Sequence, residues 1–314
     1  MVSIVIPSRN DQFLQQTIDD LLEKAEGEIE IIVVLDGYWP DPILKDDPRV
    51  VILHHGTIHD NIGMRGGINA GVAIANGDYL MKIDEHCMVD QGFDVKLAAD
   101  CEDNWCVIPR RYRLDAENWT LIEDGRPPVD YMKIDYPYQR PYDITCGLHG
   151  GEWRQRYYDR KDIEIDDTMS WQGSCWFMKK KFWDEIIGPL DEENYGPFTQ
   201  EPQEIGNKVW LSGGRLVVNK KTWYAHYHKG SKGKSYGFSN QQYRKHQAEN
   251  EKGRLHCIDF WIYDRWDKRV RDWEWLLKKF WPVPGWPENW KEQIEIDKEF
   301  DYSRRDDAKQ NRTG

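Results

Sequence analysis

Short aliphatic runs alternate with helical spacing over roughly the first 85 residues, and this alternation constrains the fold more than any other feature of the chain. Val2-Ser3-Ile4-Val5-Ile6 reads as a strand stopped by Pro7, and between Asp11 and Ala25 the residues Phe13, Ile18, Leu21 and Leu22 fall at helical spacing. Ile29 to Leu35 is nearly all aliphatic, the composition of a parallel strand covered on both faces. Val50 to Leu53 gives a third strand, Gly63 to Asn76 a helix of small residues, and Tyr79 to Ile83 a fourth strand. The order β-α-β-β-α-β predicts an α/β, doubly wound sheet with right-handed crossovers. Sheets of this kind bind ligands beyond the carboxyl ends of their strands.

The rhythm breaks at 105–168. Trp105 to Pro109 has strand character, but Pro127-Pro128, repeated Tyr and Asp, and Gly150-Gly151 predict a long irregular excursion. Alternation returns with a strand at Cys175 to Met178, a helix from Lys180 to Ile187 ended by Gly188-Pro189, a helix from Glu201 to Leu211 closed by Gly213-Gly214, and a strand from Arg215 to Asn219. From Ser239 the pattern is helical and rich in Trp, broken at Pro282, Pro284 and Pro287, and 303–314 reads as a disordered polar tail.

Composition removes several classes. A net charge of −12 argues against a protein that coats nucleic acid, although Lys220, Lys221, Lys229, Lys232 and Lys234 form a local basic stretch. The six cysteines show no Cys-x-x-Cys spacing, which predicts free thiols in a reducing compartment. No apolar run reaches the ~18 residues of a membrane span, and the amino terminus enters a strand at once, so a cytoplasmic location is expected.

Asp84 and His86 stand two apart just past the fourth strand, so their side chains point the same way and can share a divalent cation. Where a carboxylate and imidazole set of this kind faces phosphate oxygens, it suits Mn2+ better than Ca2+ or a structural zinc, with Mg2+ as the other choice. Alone, the Asp-x-His pair is a weak signal.

Taken in order, Val-Ser-Ile-Val-Ile-Pro7, Ile-Ile-Val-Val-Leu-Asp36-Gly, Arg65-Gly-Gly-Ile-Asn69-Ala-Gly and Asp84-Glu-His86 resemble the nucleotide-sugar domain of GT-A glycosyltransferases. The chain is closest in motif to the polypeptide N-acetylgalactosaminyltransferases, which also carry Asp-x-His where family-2 relatives usually have Asp-x-Asp. The similarity runs from residue 2 to about 230, loosely over 105–168. It implies a GT-A catalytic domain over 1–238, in three parts: a nucleotide-binding half at 1–104, an irregular insertion at 105–168, and an acceptor half with a lid loop at 169–238. A helical Trp-rich extension at 239–302 would follow.

The resemblance also implies roles. Asp84, His86 and His226 would hold the metal, with His228 as second choice for the third ligand. Pro7, Arg9, Asp36, Arg65, Asn69, Lys82, Asp84, Gly173, Trp210, Lys229 and Tyr236 would contact a UDP-sugar. Glu201 and Glu204 would be catalytic, in a segment similar to that family's Trp-Gly-Gly-Glu-Asn stretch. Here Thr199-Gln200 replaces the two glycines and Pro202 the asparagine, so the donor sugar stays open. Inverting family-2 enzymes place an Asp base directly after this acid; Pro202 carries no proton acceptor, so a retaining reaction is expected.

Three other readings compete. A nucleotidyltransferase would show a Gly-rich phosphate loop after the first strand, which Pro7-Ser-Arg-Asn-Asp lacks. A glycoside hydrolase using Glu201 and Glu204 leaves the metal set without a purpose, and an inactive nucleotide-sugar-binding module would not need it intact. The acceptor hydroxyl stays open between a hydroxymethylated DNA base, a glycan and a protein Ser or Thr. Without a membrane anchor or lectin domain in this sequence, a bacterial or viral setting is expected.

Overall fold

The computed structural model describes residues 1–138, 146–228 and 239–310. Its strands are β1 Val2–Ser8, β2 Ile29–Asp36, β3 Val50–His55, β4 Tyr79–Ile83, β5 Cys87–Val89, β6 Trp105–Asp115, β7 Thr120–Leu121, β8 Met132–Ile134, β9 Gly150–Glu152, β10 Ile165–Asp167, β11 Cys175–Lys179 and β12 Arg215–His226. Its helices are α1 Leu14–Lys24, α2 Gly63–Ile74, α3 Phe93–Ala99, α4 Arg154–Arg160, α5 Lys180–Phe182 running into a π turn, α6 Glu192–Tyr195, α7 Glu201–Leu211, α8 Asn240–Ile262, α9 Trp273–Phe280 and α10 Trp290–Gln310.

The main sheet has the order β10-β12-β6-β11-β4-β1-β2-β3, with β5 added to β12 and β7 to β6. Strands β3, β2, β1 and β4 run parallel; β11 is antiparallel between β4 and β6, and β12 is parallel to β6. Strands β1 to β4 form the doubly wound half that the first 85 or so residues predict, and β11 makes the sheet mixed.

Alternate residues of each strand enter opposite cores. On one face Ile4, Ile6, Ile31 and Val33 meet α1 through Leu14, Ile18 and Leu21, and α3 through Phe93 and Leu97. On the other, Val5, Ile32, Val34, Trp176 and Val218 meet α2, α7 and the carboxyl-terminal helices. All of β2 except Glu30 is buried, as its aliphatic composition requires.

Two boundaries differ from the sequence expectation. The stretch from 105 is not the start of an irregular insertion: Trp105–Asp115 is an eleven-residue strand at the centre of the sheet. Arg110, Arg111 and Arg113 disguise its second half; Arg110 is paired with buried Asp130, and Arg111 with Gln172. The irregular excursion begins beyond β7 and contains the small β8–β9 sheet. At the far end, 303–310 continues α10 instead of forming a disordered tail, and 311–314 lie outside the described residues.

The Trp-rich extension belongs to the main core. Trp261 Nε1 donates to Tyr195 Oη at 2.8 Å, Trp286 Nε1 donates to the Ile134 carbonyl at 2.8 Å, and Phe280 packs edge-on against Trp210. Helix α8 starts with a capping box in which Ser239 and Gln242 exchange backbone-to-side-chain hydrogen bonds. All six cysteines are free and buried. Among the described residues no helix is long and apolar enough to cross a membrane.

Candidate active site

A cleft of about 960 Å³ opens at the carboxyl ends of β1, β2 and β4. Pro7 and Arg9 line it from the end of β1, Asp36 from β2, Lys82 and Asp84 from β4, Gly173 from the turn before β11, and Glu201 from the start of α7.

Strand pairing builds the cation site. The antiparallel match of β5 with β12 sets His226 opposite Cys87, and so beside His86. The ligand atoms of Asp84, His86 and His226 all lie within 4.8 Å of one another. His86 Nε2 faces His226 Nε2 at 3.2 Å, and His226 Nε2 stands 3.3 Å from Asp84 Oδ2. Two facing ring nitrogens share at most one proton, so the arrangement leaves lone pairs converging on a point that a divalent cation fits.

Protonation states agree with that use. Burial pulls the His226 imidazole down to about 4, so it is neutral at physiological pH, the form that binds metal. Burial alone would raise the Asp84 carboxyl, but the Lys82 ammonium, then the hydrogen bond from His226 and the two imidazoles, hold it well below the usual range. Lys82 is itself buried, 2.5 Å from Asp84 Oδ1 and 2.7 Å from the Gly173 carbonyl. His86 Nδ1 lies 3.0 Å from Asp11 Oδ2, the outer hydrogen bond that orients a metal-binding imidazole.

Glu201 sits at the other side of Lys82. Its Oε1 accepts from Trp176 Nε1 at 2.9 Å, and its Oε2 is buried with no hydrogen-bond partner. Burial raises its carboxyl from 4.5 to about 7, against the pull of Lys82 and Trp176. Gly173 makes room for it: at φ +89°, a Cβ there would stand 2.5 Å from Glu201 Oε2. The preceding Gln200 holds a left-handed φ of 60° without being glycine.

Four expected site residues are not on the cleft. Arg65 is fully buried; its guanidinium donates to the Thr199 carbonyl at 3.1 and 2.7 Å, pairs with Glu204 and lies over the Tyr195 ring at 4.3 Å. Glu204 accepts from Arg65 and from Lys208 Nζ at 2.7 Å, so its carboxylate braces α7 instead of facing a substrate. Asn69 exchanges hydrogen bonds with the backbone of Leu190 at 2.9 and 2.8 Å. Trp210 is buried beneath Phe280.

The remaining expectations divide. Asp36 lines the cleft, yet its two oxygens accept from the Ile62 and Gly63 backbone at 2.8 and 2.9 Å, capping α2. Arg9 donates to the Asp36 carbonyl and bridges to Ile58. His228 lines the cleft but is exposed and lies beyond the end of β12, outside the converging triad. Lys229, Tyr236 and the lid loop lie outside the described residues.

Sequence reasoning missed Asp11, Trp176 and the cleft-facing side of α8. Asp11 stood in view, in the loop after β1. Nothing in the alternation of β11 marks which indole meets Glu201.

Known proteins share this fold. GalNAc-T7, solved with UDP, GalNAc and Mn2+, superposes with a TM-score of 0.71 at 16% identity, over 89% of this chain and 56% of that one. Putative polypeptide N-acetylgalactosaminyltransferase 13 of Drosophila melanogaster is 21% identical over 245 residues, which are 69% of this chain and 40% of that protein. The uncharacterized glycosyltransferase EpsJ of Bacillus subtilis (strain 168) is 31% identical over 112 residues, 33% of this chain and 31% of its own. The chain thus spans less than half the length of these two curated relatives. Residues 3–186, more than half the sequence, match Glycosyl transferase family 2, and with the GT-A fold in place the chain belongs to that family.

Proposed function

We propose that this chain is a metal-dependent glycosyltransferase that moves a sugar from a UDP-sugar to a hydroxyl acceptor with retention at the anomeric carbon. The observation that carries the reading is the convergence of Asp84, His86 and His226 on one point of the cleft floor. The UDP, GalNAc and Mn2+ of the similar structure support the donor class and the ion.

A bound Mn2+ or Mg2+ would neutralise charge building on the departing diphosphate. Asp84, His86 and His226 would hold it, and Asp11 would fix the His86 ring. Lys82 keeps Asp84 ionised and supplies a buried positive charge beside the diphosphate. Glu201 Oε2, buried and without a partner, would accept a hydroxyl of the donor sugar. Pro7, Arg9 and Asp36 border the nucleoside end.

In the retaining step the bond from the anomeric carbon to the phosphate oxygen breaks and the acceptor oxygen bonds on the same face. The acceptor proton passes to the leaving phosphate. Pro202 offers no base, and Glu204 is held by Arg65 and Lys208, which supports this course. One observation favours inversion instead: the carboxyl of Glu201, raised to about 7, is poised for proton transfer.

Release of UDP from a panel of UDP-sugars with Mn2+ tests the proposal. One donor should be hydrolysed slowly, and Asp84→Ala and His226→Ala should each abolish it. The absence of both hydrolysis and metal-dependent UDP binding would overturn it. The anomeric configuration of the product separates retention from inversion.

A further inference from the structure

The cleft extends past Glu201 to an end where three elements meet, of which only α7 carries a shared motif. Met132 and Gly150 come from the β8–β9 sheet, Gln203 from the first turn of α7, and Asn250 and Arg254 from α8, with Trp171 at the floor. A methyl group added at Gly150 would stand 3.1 Å from Met132 Cε, 3.2 Å from the Trp171 carbonyl and 3.5 Å from Gln203 Nε2. One added at Gly147 would stand 3.1 Å from Arg254 Cδ. Gly253 lets α8 come this close, since a Cβ there would lie 2.3 Å from the Tyr195 carbonyl.

Two polar atoms at this end are buried with no hydrogen-bond partner: Trp171 Nε1, a donor, and Asn250 Oδ1, an acceptor. Trp171 is only 3% exposed, and a donor buried to that degree is costly to leave unpaired.

We propose that this end of the cleft is an acceptor subsite for a carbohydrate. The proposal rests on the glycosyltransferase reading, because an acceptor oxygen must reach the sugar that Glu201 would hold, from the side away from Arg9 and Asp36. The chemistry matches a polyol: hydroxyl groups both donate and accept, which answers an indole N–H and an amide oxygen together. An indole, a thioether, two amides and a guanidinium, with no carboxylate among them, suit a neutral or acidic sugar. A duplex acceptor would bring a row of phosphates, and among the described residues Arg254 is the single cation in this group, on a chain of net charge −12.

Saturation-transfer NMR of the full chain with UDP and Mn2+ tests this, against neutral and acidic oligosaccharides, a pool of Ser/Thr peptides, and a duplex containing hydroxymethylcytosine, each at millimolar concentration. At least one oligosaccharide should receive saturation. Its apparent affinity should fall about tenfold in Trp171→Phe and in Asn250→Ala, the loss of roughly one hydrogen bond. UDP affinity by calorimetry should stay unchanged in both. Asn250 lies on a helix surface, so its variant reports even where Trp171→Phe perturbs packing. Signals from peptide or DNA alone, from no probe at all, or from an oligosaccharide bound equally well by both variants would overturn the subsite. Failure of the wild type to bind UDP would instead strike the donor reading, and the oligosaccharide result would stand apart from it.

Discussion

Replacing Glu201 by Gln should stabilise the protein at alkaline pH and hardly at all in acid. The side chain is 1% exposed, and Gln keeps its shape and the carbonyl oxygen that accepts from Trp176. In the folded state its carboxyl is raised, chiefly by burial, from 4.5 to about 7. Between those values the native protein retains a proton that the unfolded chain has released, so stability falls as pH rises through this window and is level outside it. At ~1.4 kcal/mol per pH unit the loss in the wild type is about 3 kcal/mol, a sizeable part of a typical domain stability. Gln carries no charge and escapes it. Urea unfolding at several pH values between about 4 and 8.5, with chelator present, measures the difference. The gap between variant and wild type should open by about 3 kcal/mol across that range. Parallel pH profiles would refute the reasoning and show that Lys82 already compensates the carboxylate.

Four further outcomes follow from the same geometry. Asp11→Asn should weaken Mn2+ binding by about 10- to 100-fold, read by calorimetry, while leaving the fold intact, because it removes the charge that orients His86. Arg65→Met should destabilise by about 3–5 kcal/mol in urea unfolding by leaving Glu204 buried with one partner fewer. The double variant Arg65→Met, Glu204→Gln should recover part of that loss, which a nucleotide-binding arginine would not predict. Gly173→Ala should lower thermal stability, by roughly 1–3 kcal/mol, since it meets both a left-handed φ and the Glu201 carboxylate.

How far the sequence reaches depends on what sets each feature. Strands β1, β2 and β4 and helix α2 were legible because burial on both faces or on one stripe dictates their composition. Helix α7 was placed to the residue, since Pro202 at its start and Gly213-Gly214 after its end are local signals. Strand β6 was half hidden, because its arginines are satisfied by Asp130 and Gln172, partners distant in sequence.

At the site, Asp84 and His86 come together as their spacing predicts, although the turn between β4 and β5 and not strand alternation aims them, and His226 follows from its place in the chain order. The errors share a cause. Arg65, Asn69, Glu204 and Trp210 carry chemistry suited to a ligand, and tertiary partners claim all four: Arg65 and Glu204 each other, Asn69 the Leu190 backbone, Trp210 the extension. A charged residue used for bracing and one used for binding look alike until burial is known.

The most direct test of the central claim is a crystal structure of the chain with UDP and Mn2+, with anomalous scattering collected to locate the ion. A single manganese peak is expected on the cleft floor at ~2.0–2.3 Å from Asp84, His86 Nε2 and His226 Nε2, with the diphosphate completing its shell. UDP bound in the cleft with no metal at those three side chains, or manganese held elsewhere, would contradict it.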